Sequence, residues 1–409
     1  MASSSDDIGG LSDQVTLRLN GSDVLIAESY EVRQSYFEQP STFSITLGSG
    51  DVAKYFLQTY GPNIPFELRI GNIVQFVGMT TAIEANGNAS ATTVTIHGRD
   101  GMSALIENKL EADKAFSNAT YSGLIQDILT FLGISFVLVT DQNQVGDNRK
   151  KAAGVPVQVT EIPPDLADIL STALPQKPQV QGKAGETVYH YLKRELDRAG
   201  LFLYCGVNGQ YYLSAPARNQ APACRIARQR GASPNLVNVI DYRFRFDTVG
   251  RSARYVVVGR GGGAPTSSGD PLPDELADLG APVGSRVGIR GEYVDPEMVE
   301  LGFTNVWVKR DKHVTSSKQA EYLARKMGAQ AARHQFELTY KVSGHTIPAL
   351  AGGRMVWSVD TIVDVRDDEL GIAGPMWVES VTRRRDMGGG TMTEVKLLKP
   401  DYLIFGLED

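Results

Sequence analysis

Residues 76–100 and 377–401 align without a gap, and this internal echo constrains the fold more than any other feature of the chain. Phe76 falls on Trp377, Val77 on Val378, Thr81 on Thr382, Gly87 on Gly388, Thr92 on Thr393, Val94 on Val395, Ile96 on Leu397 and Asp100 on Asp401. Both stretches read as a strand, a turn containing glycine, and a second strand with alternating apolar residues. The shared turn and alternation predict two copies of one β-module with other structure between them. In this alignment Phe76 and Trp377 belong to equivalent cores, and Gly87 and Gly388 sit at equivalent hairpin turns with left-handed backbone.

A length of 409 residues predicts several domains. A formal charge of −6 argues against tight binding to phosphate backbones, although mild acidity suits a passage through which DNA slides. Cys205 and Cys224 give neither a disulfide framework nor a metal spacing. No run of eighteen apolar residues marks a membrane span, and residues 1–11 read as a disordered leader.

The periodicity predicts an α+β chain that is mainly β. Val15, Leu17 and Leu19 alternate before an Asn20-Gly21 turn, and Phe43, Ile45 and Leu47 alternate again. Phe66, Leu68 and Ile70 follow, then a Gly71-Asn72 turn and a strand around 73–77. With a short helix over 52–60, these complete a first barrel or sandwich domain, 12–100. Residues 101–220 form an α+β domain. It has a helical stripe Leu124, Ile125, Ile128, Leu129 and Leu132 stopped at Gly133, a strand over 134–139 and a helix over 165–174. A third helix carries Val188, Leu192, Leu196 and Ala199 and ends at Gly200, before a hairpin turning at Asn208-Gly209. Segments 221–259 and 336–402 together form the second module. Within it Tyr242, Phe244 and Phe246 alternate with Arg243, Arg245 and Asp247, and 254–259 is a further strand. Residues 260–335 are an inserted α+β domain, with a strand at 306–309 and a helix whose Ala320, Leu323, Met327 and Ala331 share a face.

No motif rises to catalysis, and no catalytic, cofactor-binding or metal-ligating residue is assigned. His97, His190, His313, His334 and His345 lack ligand spacing. Gly261–Gly263 follows a strand, but Ala264-Pro265 replaces the helix that a phosphate loop requires. Asp364, Asp367, Asp368 and Glu369 do not fit a calcium loop and read as a solvated turn. Arg383 and Arg385 share one strand face with Arg384 on the other, open either to a salt-bridged contact or to phosphate. The Arg243/Arg245 and Thr93/Thr95 faces are candidates for lumen or ring contacts.

Four stretches, 353–360, 368–374, 376–381 and 390–397, resemble the C-terminal signature of the Mu-type baseplate hub proteins of contractile-tailed phages. These are akin to the T4 hub and to the N-terminal part of type VI secretion spike proteins. Gly98–Leu105 and Glu186–Leu213 resemble that family's second domain, and the likeness spans 12–402. It implies a non-enzymatic virion protein assembled in the bacterial cytoplasm. Two similar tail-tube-like β-barrel domains per chain would let a homotrimer form a pseudo-hexameric ring. Such a ring joins a hexameric tail tube to a trimeric central spike, contacts other baseplate proteins and lines a DNA channel without binding DNA specifically. A hub of a DNA-free injection particle and a tail-associated cell-wall hydrolase stay open as alternatives.

Overall fold

The computed structural model describes residues 13–24, 27–47, 59–87, 92–110, 115–116, 121–134, 138–139, 180–181, 185–198, 201–214, 216, 220–228, 239–259, 289–311, 314, 317–386 and 390–403. The chain divides into two units, Met1–Phe244 with Glu337–Pro400, and Arg245–Phe336 with Asp401–Asp409.

The first unit opens with seven strands, β1 (Val15–Leu19), β2 (Ser22–Val24), β3 (Ala27–Ser35), β4 (Thr42–Leu47), β5 (Pro65–Ile70), β6 (Ile73–Gly87) and β7 (Thr92–Asp100). Asn20 and Gly21 both take positive φ, the geometry that lets a two-residue loop follow the strand twist, so β1 turns straight into β2. The inward faces of these strands put Leu17, Leu19, Val32, Phe43, Ile45, Phe66, Leu68, Phe76, Val94 and Ile96 into one core.

After β7 come α1 (Met102–Glu107), β8 (Ala115–Phe116), α2 (Tyr121–Phe131), β9 (Leu138–Val139), β10 (Val180–Gln181), α3 (Val188–Arg198), β11 (Phe202–Cys205) and β12 (Tyr211–Ser214). Leu124, Ile128, Leu192, Leu196 and Leu213 share their buried core, as the helical stripes require. Gly133 with φ +66 stops α2, and Gly209 with φ +77 turns the β11–β12 hairpin. The predicted helix over 165–174, residues 52–58 of the predicted short helix, and Ala199-Gly200 lie outside the described residues. Two further strands, β13 (Cys224–Arg228) and β14 (Val239–Phe246), lead to the second unit.

The second unit holds β15 (Arg254–Gly259), β16 (Arg290–Val294), α4 (Pro296–Glu300), β17 (Val306–Asp311) and α5 (Ser317–Gln335). Its sheet runs β16-β15-β17. Tyr255, Val257, Val314, Ala320 and Ala324 form its core, with Leu323, Met327 and Ala331 packed against it. Residues 254–259 are thus a strand, as expected, but they pair with β16 and β17 and not with the second module's sheet. Alternation identifies a strand without saying which sheet it joins.

The chain then returns to the first unit with β18 (Phe336–Ser343), β19 (Thr346–Pro348), β20 (Arg354–Val356), β21 (Ile362–Asp367), β22 (Ile372–Asp386) and β23 (Gly390–Leu398), ending in a 3-10 turn over Pro400–Tyr402. One sheet contains strands from both ends of the chain, in the order β14-β18-β23-β22-β3-β4-β7-β6-β5-β1-β2, with β13 and β21 off this path. The halves meet where β22 pairs antiparallel with β3, from Ser380↔Ser35 to Arg385↔Tyr30.

The echo is real as a pair of long hairpins, β6–β7 and β22–β23. Phe76 and Trp377 are both buried, as are Val94 and Val395, and Ile96 and Leu397. The ungapped alignment fails at the turns. Gly87 ends β6 opposite Thr92 and has no left-handed φ, whereas Gly388 lies outside the described residues. The two strands of each hairpin also pair in different registers: Ile83 faces Ile96 in the first, whereas Arg384, its counterpart in the alignment, faces Met392 and not Leu397. Each hairpin carries one bulge, at Thr81 and at Glu379, positions that the alignment does not equate. Asp100 and Asp401 also part company, one buried in the first unit and the other exposed in the terminal 3-10 turn.

Candidate assembly surfaces and a buried polar junction

β14 lies at one end of the large sheet, and among the described residues β18 is its only neighbour there. An ordinary edge strand of alternating sequence buries one face. β14 buries neither, and Ile240, Tyr242 and Phe244 are between 38% and 56% exposed. The alternation of Tyr242 and Phe244 with Arg243 and Arg245 therefore makes an apolar outer face and not a core face. Arg228 stacks 3.8 Å from the Tyr242 ring centroid, and Arg243 reaches Glu337 at 3.4 Å. An eight-residue strand at the end of a sheet that carries exposed aromatics is a template for pairing with another chain.

The second unit has a patch of its own. Val299, Leu301, Phe303, Val306, Trp307 and Val308 are 40–54% exposed, over the end of α4 and along β17, which is an edge strand. Contiguous apolar surface of this kind marks interaction sites on soluble proteins.

The acidic cluster is structural. Parallel pairing of β13 with β21 sets Arg225 beside Asp364 (Nε to Oδ2, 2.7 Å) and Arg228 beside Asp367 (3.3 Å). Asp367 also accepts from the Tyr340 hydroxyl at 2.7 Å and from the Glu369 and Leu370 amides at 3.1 Å, while Glu369 pairs with Arg228. The turn is where the sequence puts it, but Asp364 and Asp367 are buried and neutralised, not solvated. No group of potential metal ligands is found among the described residues.

The three arginines of the run sit in three different settings. Arg384 is bridged to Glu31 (2.8 Å) and Glu394 (3.1 Å) across the neighbouring strands, Arg385 is exposed, and Arg383 is fully buried. Arg383 donates to Gln34 Oε1 (2.7 Å), to Gln75 Oε1 (3.1 Å) and to the Trp357 carbonyl. Burial lowers its pKa to about 9. Next to it His345 is completely buried, with Nε2 2.7 Å from the Tyr30 hydroxyl, Nδ1 2.8 Å from Thr393 Oγ1, and its backbone amide donating to Asp13. Burial first, and the Arg383 charge second, push the imidazole down to about 3, so it stays neutral. Asp100, also buried, accepts from the Ser41 and Met102 amides at 2.9 and 3.0 Å and so fixes the entry into α1. Burial outweighs those bonds and raises its carboxyl to about 6.

The other histidines are dispersed. His97 lies 3.6 Å from Glu84, His190 bonds Thr187, His334 occupies the last turn of α5, and His313 lies outside the described residues. Gly261–Gly263 also lies outside them. Thr95 pairs with Thr46 across β4 and β7 at 3.1 Å, and Thr93 bonds the Asn86 carbonyl, so this face carries strand-to-strand contacts. Both cysteines are free thiols.

No family model matches the sequence. No curated protein matches it. The fold, however, is shared with solved structures. A 43 kDa tail protein of prophage MuSo2 from Shewanella oneidensis matches with a TM-score of 0.68 at 17% identity, covering 95% of this chain and 99% of that one. A tail protein from Neisseria meningitidis MC58 matches with a TM-score of 0.67 at 17% identity, covering 95% and 98%. The Escherichia coli c3393 protein matches with a TM-score of 0.50 at 9% identity, covering 93% and 76%. It is described as a type VI secretion component structurally similar to the T4 tail proteins gp27 and gp5. The chain therefore has the mainly β fold of phage tail and baseplate proteins.

Proposed function

We propose that this chain is the structural hub of a contractile-tail baseplate. Three copies close into a pseudo-hexameric ring that joins the hexameric tail tube to the trimeric central spike and surrounds the path of the DNA. The observation that carries this reading is the duplicated hairpin. β6–β7 and β22–β23 lie in one sheet joined through β3 and β22, so each chain offers two similar β-modules and three chains offer six. That is the arithmetic a threefold-to-sixfold adaptor needs. β14 supplies the contact between subunits, because its aromatics stand exposed at the end of the sheet.

The test is electron microscopy of the chain expressed with its neighbouring tail proteins. Threefold rings with six similar lobes around an open lumen are expected, and a compact monomer in every preparation would overturn the proposal. Tyr242→Asp with Phe244→Asp should abolish the ring and leave the circular dichroism spectrum unchanged. Lysis of peptidoglycan by the purified chain would sink the purely structural role.

A further inference from the structure

Tyr402 and Leu403 are buried in the second unit, and residues 404–409 beyond them lie outside the described ones. The Tyr402 hydroxyl donates to Glu297 Oε2 in the first turn of α4 at 2.7 Å, and its ring meets Phe336 edge-on at 5.6 Å. Arg251 holds the other side of this anchor. Its guanidinium carbon is 5.8 Å from the Tyr402 ring centroid, and it donates to the same Glu297 oxygen at 2.9 Å. Three hydrogen bonds of 2.7–3.2 Å fix it to Asp295 as well. The Arg251 carbonyl accepts from Asn305 Nδ2 at 3.0 Å, and Asn305 is the residue before β17. The point where the chain leaves Leu403 and the point where β17 begins are thus both tied to Arg251.

Among the described residues β17 pairs only with β15. Its exposed apolar residues come first, Val306, Trp307 and Val308, and its exposed cations follow, Lys309 and Arg310. The six residues after Leu403 have the same order with the opposite charge, since Ile404, Phe405 and Leu407 precede Glu408 and Asp409. In extended form they span about 20 Å, enough to run the length of six-residue β17. Laid parallel to β17 from its start, they set apolar residues against Val306–Val308 and carboxylates beside Lys309 and Arg310. The reverse direction would set the carboxylates against the apolar end. An extended segment that adds to a sheet edge gains main-chain hydrogen bonds, and its side chains bury apolar surface. We propose that residues 404–409 add to β17 of the same molecule as a fourth, parallel strand of the second unit's sheet and cover its exposed apolar patch. The contact lies within the second unit and does not rest on the hub role.

The experiment compares hydrogen exchange, read by mass spectrometry, in the full chain and in a chain ended at Leu403. The β17 amides should exchange about tenfold faster in the shortened chain, while β15 and α5 keep their protection. Trp307 is exposed whereas Trp357 and Trp377 are buried, so acrylamide quenching reports on the patch and should rise on shortening. Glu408→Lys with Asp409→Lys should reproduce the loss of protection. Adding Lys309→Glu with Arg310→Glu should restore it, an outcome that a merely weakened fold would not give. Equal β17 exchange in the full and shortened chains would overturn the proposal and leave the patch to another protein. Protection that fades on dilution would also overturn it, because the strand would then come from a second copy. If shortening loosens β15 and α5 as well, the charge reversal and its rescue decide.

Discussion

His345 and Asp100 carry opposed titrations, and separating them gives a sharp test of the buried polar groups. The His345 pKa is about 3 in the folded chain against 6.5 unfolded. A lowered histidine means that the unfolded state takes the proton first, so stability falls as pH drops below 6.5. Between pH 8 and pH 5 that linkage removes about 2 kcal/mol. The Asp100 pKa is about 6 against 3.8. A raised carboxyl means that the folded state takes the proton first, so its charge costs stability at neutral pH and the cost fades below pH 6. Over the same interval it returns about 1 kcal/mol. The wild type should therefore show only a shallow slope from this pair. Asp100→Asn should unmask the histidine and lose about 1 kcal/mol more than wild type between pH 8 and 5. His345→Gln should unmask the carboxyl and lose about 2 kcal/mol less than wild type. Urea unfolding at pH 8, 7, 6 and 5, followed by the fluorescence of buried Trp357 and Trp377, reads these differences, and titrations elsewhere cancel in each comparison. An Asp100→Asn profile parallel to wild type would show that no buried carboxyl titrates in this window.

Other perturbations report on packing. Trp377 is fully buried, meets Tyr36 edge-on at 5.2 Å and donates its indole N–H to Asp360 at 2.9 Å. Trp377→Ala should cost about 3–5 kcal/mol, seen as an early urea midpoint for the first unit. Arg251→Met would strand Asp295 in the second-unit interior and should cost about 3–5 kcal/mol, with Trp307 fluorescence as the probe. At Gly291 an added Cβ would lie 1.9 Å from the Glu321 amide nitrogen, so Gly291→Ala must displace α5 from β16. Its expected cost is about 1–3 kcal/mol, and unchanged thermal unfolding would refute that close approach.

Local rules made β1, β4, β5, α2, α3 and the β11–β12 hairpin legible, because alternation, helical stripes and turn residues act over a few positions. β3 escaped, since it carries only Tyr30 and Val32 as a buried apolar pair between charged neighbours. Yet β3 is the strand that joins the two modules. β14 showed its period but not its setting, because an apolar face reads the same whether it meets a core or a partner. The burial of Asp364 and Asp367 depends on Arg225 and Arg228, each 139 residues earlier, and spacing along the chain does not reveal such a meeting. Arg383 read as one cation in a surface run because the strand period gives its face but not the depth of cover.

The pairing of β3 with β22 also sets a timetable for synthesis. Gln34 and Arg383, which bond across this seam, are 349 residues apart. A ribosome needs about 20–70 s to cover that distance. Throughout that interval the early strands have emerged and can pair among themselves, while the flank of β3 waits for a partner still to be translated. Nascent copies of this chain on neighbouring ribosomes expose the same flank at the same time. The cell must therefore keep them apart or shield them, and the yield of folded protein should depend on chaperone supply and on translation rate through the long middle of the message.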